Sequence, residues 1–98
     1  YTLLDRIAAY LAQNRHERVF VKGYTDASGP QSYNETVSRF RASAVKSYII
    51  GKGAKPRQIA VFGLGARNPI ASNDTAEGRR RNRRVEIEFA QNNASSDS

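Results

Sequence analysis

The sequence predicts an α+β fold, a two-layer sandwich with helices on one face of a small sheet. Three observations predict it. Helical and strand periodicities alternate along the chain, in the order α-β-α-β-(short α)-β. The two long helical segments each carry one apolar stripe. The last strand alternates apolar and polar residues without a break, the pattern of a sheet covered on one side only.

The elements follow in order. Residues 2–14 form an amphipathic helix, with Leu3, Leu4, Ile7, Ala8 and Leu11 on its stripe and Thr2 and Asp5 in capping-box spacing. A polar connection, residues 14–18, holds the single histidine, His16, read as solvated. Residues 18–25 read as a strand, with Gly23 marking a close backbone approach. The loop from Asp26 to Pro30 has turn chemistry. It leads into a long helix ending near Lys52, where Gly51 and Gly53 act as stop signals and Pro56 blocks continuation. The N-terminus of this helix offers free backbone N–H groups and a partial positive charge.

Residues 58–65 form a second strand that is apolar on both faces. After a long loop, Asn73 or Asp74 is placed to cap a short helix over residues 75–81. The last strand runs over residues 83–89, with Val85, Ile87 and Phe89 facing inward and Arg83 sharing their parity. Residues 1–90 are one domain and residues 91–98, rich in Asn and Ser, are a disordered tail.

On a wheel of about 100° per residue, the long helix carries Tyr33, Val37, Ala44, Tyr48, Val45 and Ile49 in one broad stripe. Arg41 falls inside that stripe, whereas Arg39 and Lys46 lie opposite. An arginine facing the core side calls for a carboxylate or a ligand, because an unpaired buried charge costs several kcal/mol, as an order of magnitude. Asp26, at the strand end, is the partner expected from the chain order. A structural Asp26–Arg41 pair and a ligand-reading pair both satisfy this pattern.

Composition narrows the function. The chain has 98 residues, no cysteine, and a net charge of +7 from 16 basic and 9 acidic residues. Disulfides and thiolate metal sites are excluded. The charge favours polyanionic partners, whether nucleic acid, anionic lipid or an acidic wall polymer. No apolar run approaches the roughly 18 residues of a membrane helix. The chain begins at Tyr1 in the approach to a helix and is expected to be a piece of a longer protein.

Three ordered blocks carry a family resemblance. The first joins G-Y-T-D-x-x-G (Gly23 to Gly29), Y-N (Tyr33, Asn34) and S-x-x-R-A-x-x-V (Ser38 to Val45). The second is G-x-G (Gly63, Gly65) followed by N-P-I-A-S-N-D-T-x-E-G-R (Asn68 to Arg79), and the third is N-R-R-V-E-I (Asn82 to Ile87). Together, over about residues 2–89, they resemble the OmpA-like domain, the peptidoglycan-binding module of outer-membrane protein A, the Pal lipoprotein and the MotB stator.

The resemblance implies a β-α-β-α-β-(α)-β fold with sheet order 1-4-2-3 and an antiparallel last strand. The family's first strand is absent from this chain, which leaves the last strand with an open edge for a partner chain. The resemblance also implies noncovalent binding of the diaminopimelate of the peptidoglycan stem peptide, with no reaction, cofactor or metal. By motif position, Asp26 receives the ammonium and Arg41 the carboxylate. Thr25 and Asn34 add hydrogen bonds, and Arg83 adds a further carboxylate contact. The implied role is a cell-wall anchor in the periplasm of a Gram-negative envelope, on a membrane-associated parent. The reading from another class is a nucleic-acid-binding module using the run from Arg79 to Arg84. Arg80 and Arg81 are not explained by the family pattern.

Overall fold

The computed structural model describes residues 2–90. The tail expected to be disordered lies outside the described residues. Helix α1 (Thr2–Gln13) is followed by β1 (Val19–Gly23), α2 (Gln31–Gly51), a 3₁₀ turn (Pro56–Gln58), β2 (Ile59–Gly63), α3 (Ala76–Asn82) and β3 (Val85–Phe89). The sheet order is β2-β1-β3. β1 runs parallel to β2, with Val21 opposite Val61, and antiparallel to β3, with Val21 opposite Ile87. This α+β arrangement is the one expected for the family less its first strand. β3 is an edge of the sheet among the described residues.

The core lies between the sheet and the two long helices. Ile7, Ala8 and Leu11 of α1 meet Val19 and Val21 of β1, Ala42 and Ile49 of α2, and Ile59 of β2. Each strand contributes alternate residues to this face. The other face carries Phe20 and Phe62, whose rings meet edge to face at 5.7 Å, and the Lys22–Glu88 ion pair, which holds the Lys22 ammonium above its usual pKa. The double-apolar pattern of β2 therefore reflects one buried face and one aromatic pair facing solvent.

Two glycines let α2 lie directly on the sheet. A Cβ at Gly23 would stand 2.0 Å from the Ser38 carbonyl oxygen, and one at Gly63 would stand 2.6 Å from the Glu35 carbonyl oxygen. Neither neighbour is a flexible side chain end; both are helix backbone. Glycine is required at these positions for the helix to approach the two strands.

Two expectations are corrected, and two features were not foreseen. The buried face of α2 is formed by Asn34, Ser38, Ala42 and Ile49. It is rotated from the stripe inferred from apolar residues, and Arg41 stands exposed on its flank. The polar pair Asn34 and Ser38 turned the reading, because both are buried despite their chemistry. Thr75, rather than Asn73 or Asp74, caps α3, its side chain accepting a bond from Gly78 N at 2.9 Å. Asp5 takes the Tyr48 hydroxyl at 2.6 Å, and that bond lowers its carboxyl pKa. The 3₁₀ turn before β2 was not foreseen. It places Gln58 in the core, where its Nε2 donates toward the carbonyls of Leu11, Asn14 and Glu17, each 3.0 Å away. The Leu11 and Asn14 carbonyls also accept the N–H groups of Asn14 and Glu17, at 3.2 and 2.9 Å, so Gln58 adds a second bond to each and ties the end of α1 and its following turn to the strand entry.

Candidate functional site

The site is built where the C-terminal end of β1 meets the N-terminal end of α2 and the entry to β3. Thr25 leaves β1 with its N–H bonded to the Gly65 carbonyl at 2.7 Å, and Tyr24 N–H bonds to the Arg84 carbonyl at 2.8 Å. These two bonds pin the residues before Asp26 to both neighbouring chain segments. Gly65 is fixed in turn by its own N–H, which donates to Ser38 Oγ of α2 at 3.0 Å. Tyr24 is buried, and the Arg84 guanidinium lies over its ring at 3.8 Å.

Asp26 is buried at 8% exposure. Its Oδ1 accepts the Ser28 N–H at 2.8 Å, closing a turn of the Asx type, and its Oδ2 accepts Arg83 Nη1 at 2.5 Å. The Ser28 N–H holds the carboxyl below its ordinary pKa, assisted by Arg83 and opposed by burial. Asp26 is therefore a fixed anion with an arginine across it. That arginine is Arg83, not Arg41. Arg41 makes no ion pair or hydrogen bond with any described residue and projects from the flank of α2.

Thr25 is 7% exposed, and its Oγ1 has no hydrogen-bond partner among the described residues. It lies two residues past Gly23, whose empty side-chain position faces α2. Asn34, also buried, sits in the first turn of α2 with its Oδ1 turned toward Gly29, 3.8 Å from where a Cβ there would stand. Helix α2 has Pro30 at its N-cap and no side-chain cap. An open cleft of about 250 Å³ lies at this end, lined by Ala27, Gly29, Gln31, Asn34, Leu64 and Arg67.

Asn73 and Asn82 hold the loops of the site, and single-residue reasoning missed them. Asn82 is fully buried and accepts the N–H groups of Ile70 and Ala71 on its Oδ1. Its Nδ2 donates to Asn73 Oδ1 at 3.0 Å, and that same oxygen accepts the Ala27 N–H at 3.1 Å. A chain of amides thus ties the Asp26 loop to the residue preceding Arg83. Their places in the N-P-I-A-S-N-D-T and N-R-R-V blocks were the available signal.

The arginine run from Arg79 to Arg84 is largely engaged within the fold. Arg79 Nη1 donates to the Asn73 carbonyl, Arg83 pairs with Asp26, and Arg84 bonds Glu86 and the Asn82 and Asn68 carbonyls. Arg80 and Arg81 are exposed. Among the described residues, no cluster of histidine, cysteine and carboxylate side chains has the makings of a metal site.

The OmpA family's sequence profile matches residues 1–83. The chain belongs to the OmpA family. It is 49% identical over 87 residues to Outer membrane protein A of Bordetella avium, an alignment covering 89% of this chain and 45% of that one. It is 46% identical over 87 residues to the Peptidoglycan-binding protein ArfA of Mycobacterium bovis, covering 89% of this chain and 27% of that one. The chain thus spans less than half the length of these relatives. The crystal structure of the peptidoglycan-associated lipoprotein from Burkholderia pseudomallei superposes with a TM-score of 0.87 at 27% identity, over 91% of this chain and 75% of that one. None of these relatives supports the nucleic-acid reading of the arginine run.

Proposed function

We propose that this domain binds peptidoglycan noncovalently, through the diaminopimelate of the stem peptide, and anchors its parent protein to the cell wall in the periplasm of a Gram-negative envelope. The observation that carries the proposal is the buried Asp26 carboxylate, paired to Arg83, with a buried Thr25 hydroxyl beside it in sequence that has no partner among the described residues. Buried hydroxyls are nearly always satisfied, so the unsatisfied Thr25 Oγ1 marks a hydrogen bond left unmade in an otherwise fixed site.

The end of diaminopimelate carries an ammonium and a carboxylate on one carbon. Its ammonium takes the place of the Arg83 guanidinium at Asp26, and its carboxylate takes the released Arg83 and the unengaged Arg41. An arginine fork matches a carboxylate in two parallel bonds, which adds geometry to charge. Thr25 and Asn34 supply neutral hydrogen bonds. Peptidoglycan binding in the name of the ArfA relative, and peptidoglycan association in that of the lipoprotein, support the same reading. The role is binding without a reaction. The chain has no cysteine nucleophile, and its one histidine lies in the exposed turn between α1 and β1.

The test is a calorimetric titration of the domain with a meso-diaminopimelate tripeptide, alongside Asp26→Ala and Arg41→Ala. The native domain binds, and both variants lose binding while staying folded by circular dichroism. A folded native domain that does not bind refutes the proposal.

A further inference from the structure

We infer that the exposed aromatic stripe of α2, Tyr33 and Phe40 with Val37 between them, is a platform for the sugar rings of the glycan strand; this rests on the peptidoglycan reading above. Tyr33 is 64% exposed and Phe40 69% exposed. Seven residues separate them, so they lie on the same side of α2, about 10 Å apart along its axis at 1.5 Å per residue. That spacing is close to the length of a disaccharide. A shallow, mostly apolar groove lined by Thr36, Val37, Arg39, Phe40, Arg41 and Ser43 flanks the Phe40 end of the stripe.

Two features of the molecule select the occupant. The stripe is continuous with the candidate site. Tyr33 precedes Asn34 in the first turn of α2, and Arg41 stands between the stripe and the buried face that carries Asn34 and Ser38. A ligand whose peptide carboxylate reaches Arg41 therefore has its remaining part beside Val37 and Phe40. The charge excludes the simplest competitor, a second copy of the chain. A two-fold contact through this stripe would set Arg39 and Arg41 of each copy against those of the other, in a chain of net charge +7. Pyranose rings present apolar C–H faces without positive charge, and the electron-rich face of an aromatic ring attracts such C–H groups.

The experiment compares two probes, the free meso-diaminopimelate tripeptide and the same peptide on its disaccharide, for the native domain and for Phe40→Ser. The native domain binds the disaccharide-peptide roughly three- to tenfold more tightly than the peptide. Phe40→Ser removes most of that ratio and leaves the peptide affinity within about twofold. Equal affinity of the native domain for both probes overturns the inference and leaves the peptide-binding proposal standing. Binding of neither probe overturns both. A concentration-dependent dimer in sedimentation that dissociates on Phe40→Ser assigns the stripe to self-association and overturns the inference as well.

Discussion

Replacing Thr25 by valine separates a ligand-binding hydroxyl from a structural one, because the two roles predict opposite changes in stability. The substitution keeps the β-branched shape and exchanges Oγ1 for a methyl group. Thr25 is 7% exposed and its Oγ1 meets no partner among the described residues. A buried hydroxyl left unsatisfied costs about 1–3 kcal/mol. Removing it recovers part of that cost, so Thr25→Val should be more stable by about 1 kcal/mol, which in a domain of this size raises the melting temperature by roughly 4–8 °C. The same change deletes one hydrogen bond to the ligand, so affinity for the diaminopimelate tripeptide should fall about five- to tenfold, in line with the worth of one neutral hydrogen bond. Thermal unfolding and calorimetric titration of the same preparations read both quantities. A loss of stability of 1 kcal/mol or more would show that Oγ1 is satisfied inside the protein. Unchanged affinity would remove Thr25 from the site. A stabilised variant that binds less is the signature of a group kept for function at a cost to the fold.

Other outcomes follow from the same geometry. Arg41→Ala should leave the melting temperature within about 2 °C, because the side chain is exposed and engages none of the described residues, while tripeptide binding falls at least tenfold. Gly23→Ala should destabilise by about 3 kcal/mol or more, or fail to fold, since its Cβ would stand 2.0 Å from the Ser38 carbonyl oxygen; denaturant unfolding reads this. Gln58→Leu should cost about 1–3 kcal/mol in the same assay, because the buried Gln58 amide bonds to the carbonyls of Leu11, Asn14 and Glu17 are lost, while the first two keep their backbone donors. Asp26, bonded by Ser28 N–H and Arg83, binds a proton less readily folded than unfolded. Its contribution to stability is therefore full above the ordinary carboxylate range and is lost as pH falls through its lower folded pKa; acid unfolding of the native domain should show this component and that of Asp26→Asn should not.

The elements were legible because their signals are local. Gly51 and Gly53 marked the end of α2, and the alternation of Val85, Ile87 and Phe89 marked β3. What went astray depended on partners distant in sequence. Counting apolar residues turned α2 the wrong way, because Asn34 and Ser38 occupy its buried face and Ser38 Oγ is satisfied by Gly65, 27 residues on. Gln58 reads as a surface residue until its three carbonyl partners, more than 40 residues away, are in place. At the site, the chain order suggested an Asp26–Arg41 pair. Parity alone gave Arg83 an inward direction, yet only the folded sheet, which sets the entry to β3 beside the end of β1, pairs it with Asp26. Hydrophobic periodicity has no means of ranking two arginines by distance to a carboxylate 15 or 57 residues away.

The central claim is that the domain reads a zwitterion, an acid for the ammonium and arginines for the carboxylate on the same carbon. Its most direct test is a calorimetric comparison of two tripeptides, one with meso-diaminopimelate and one with lysine at that position, which keeps the ammonium and lacks the carboxylate. The account predicts that the lysine peptide binds at least tenfold more weakly, and that the difference shrinks sharply in Arg41→Ala. Equal affinity of the native domain for the two peptides would contradict it.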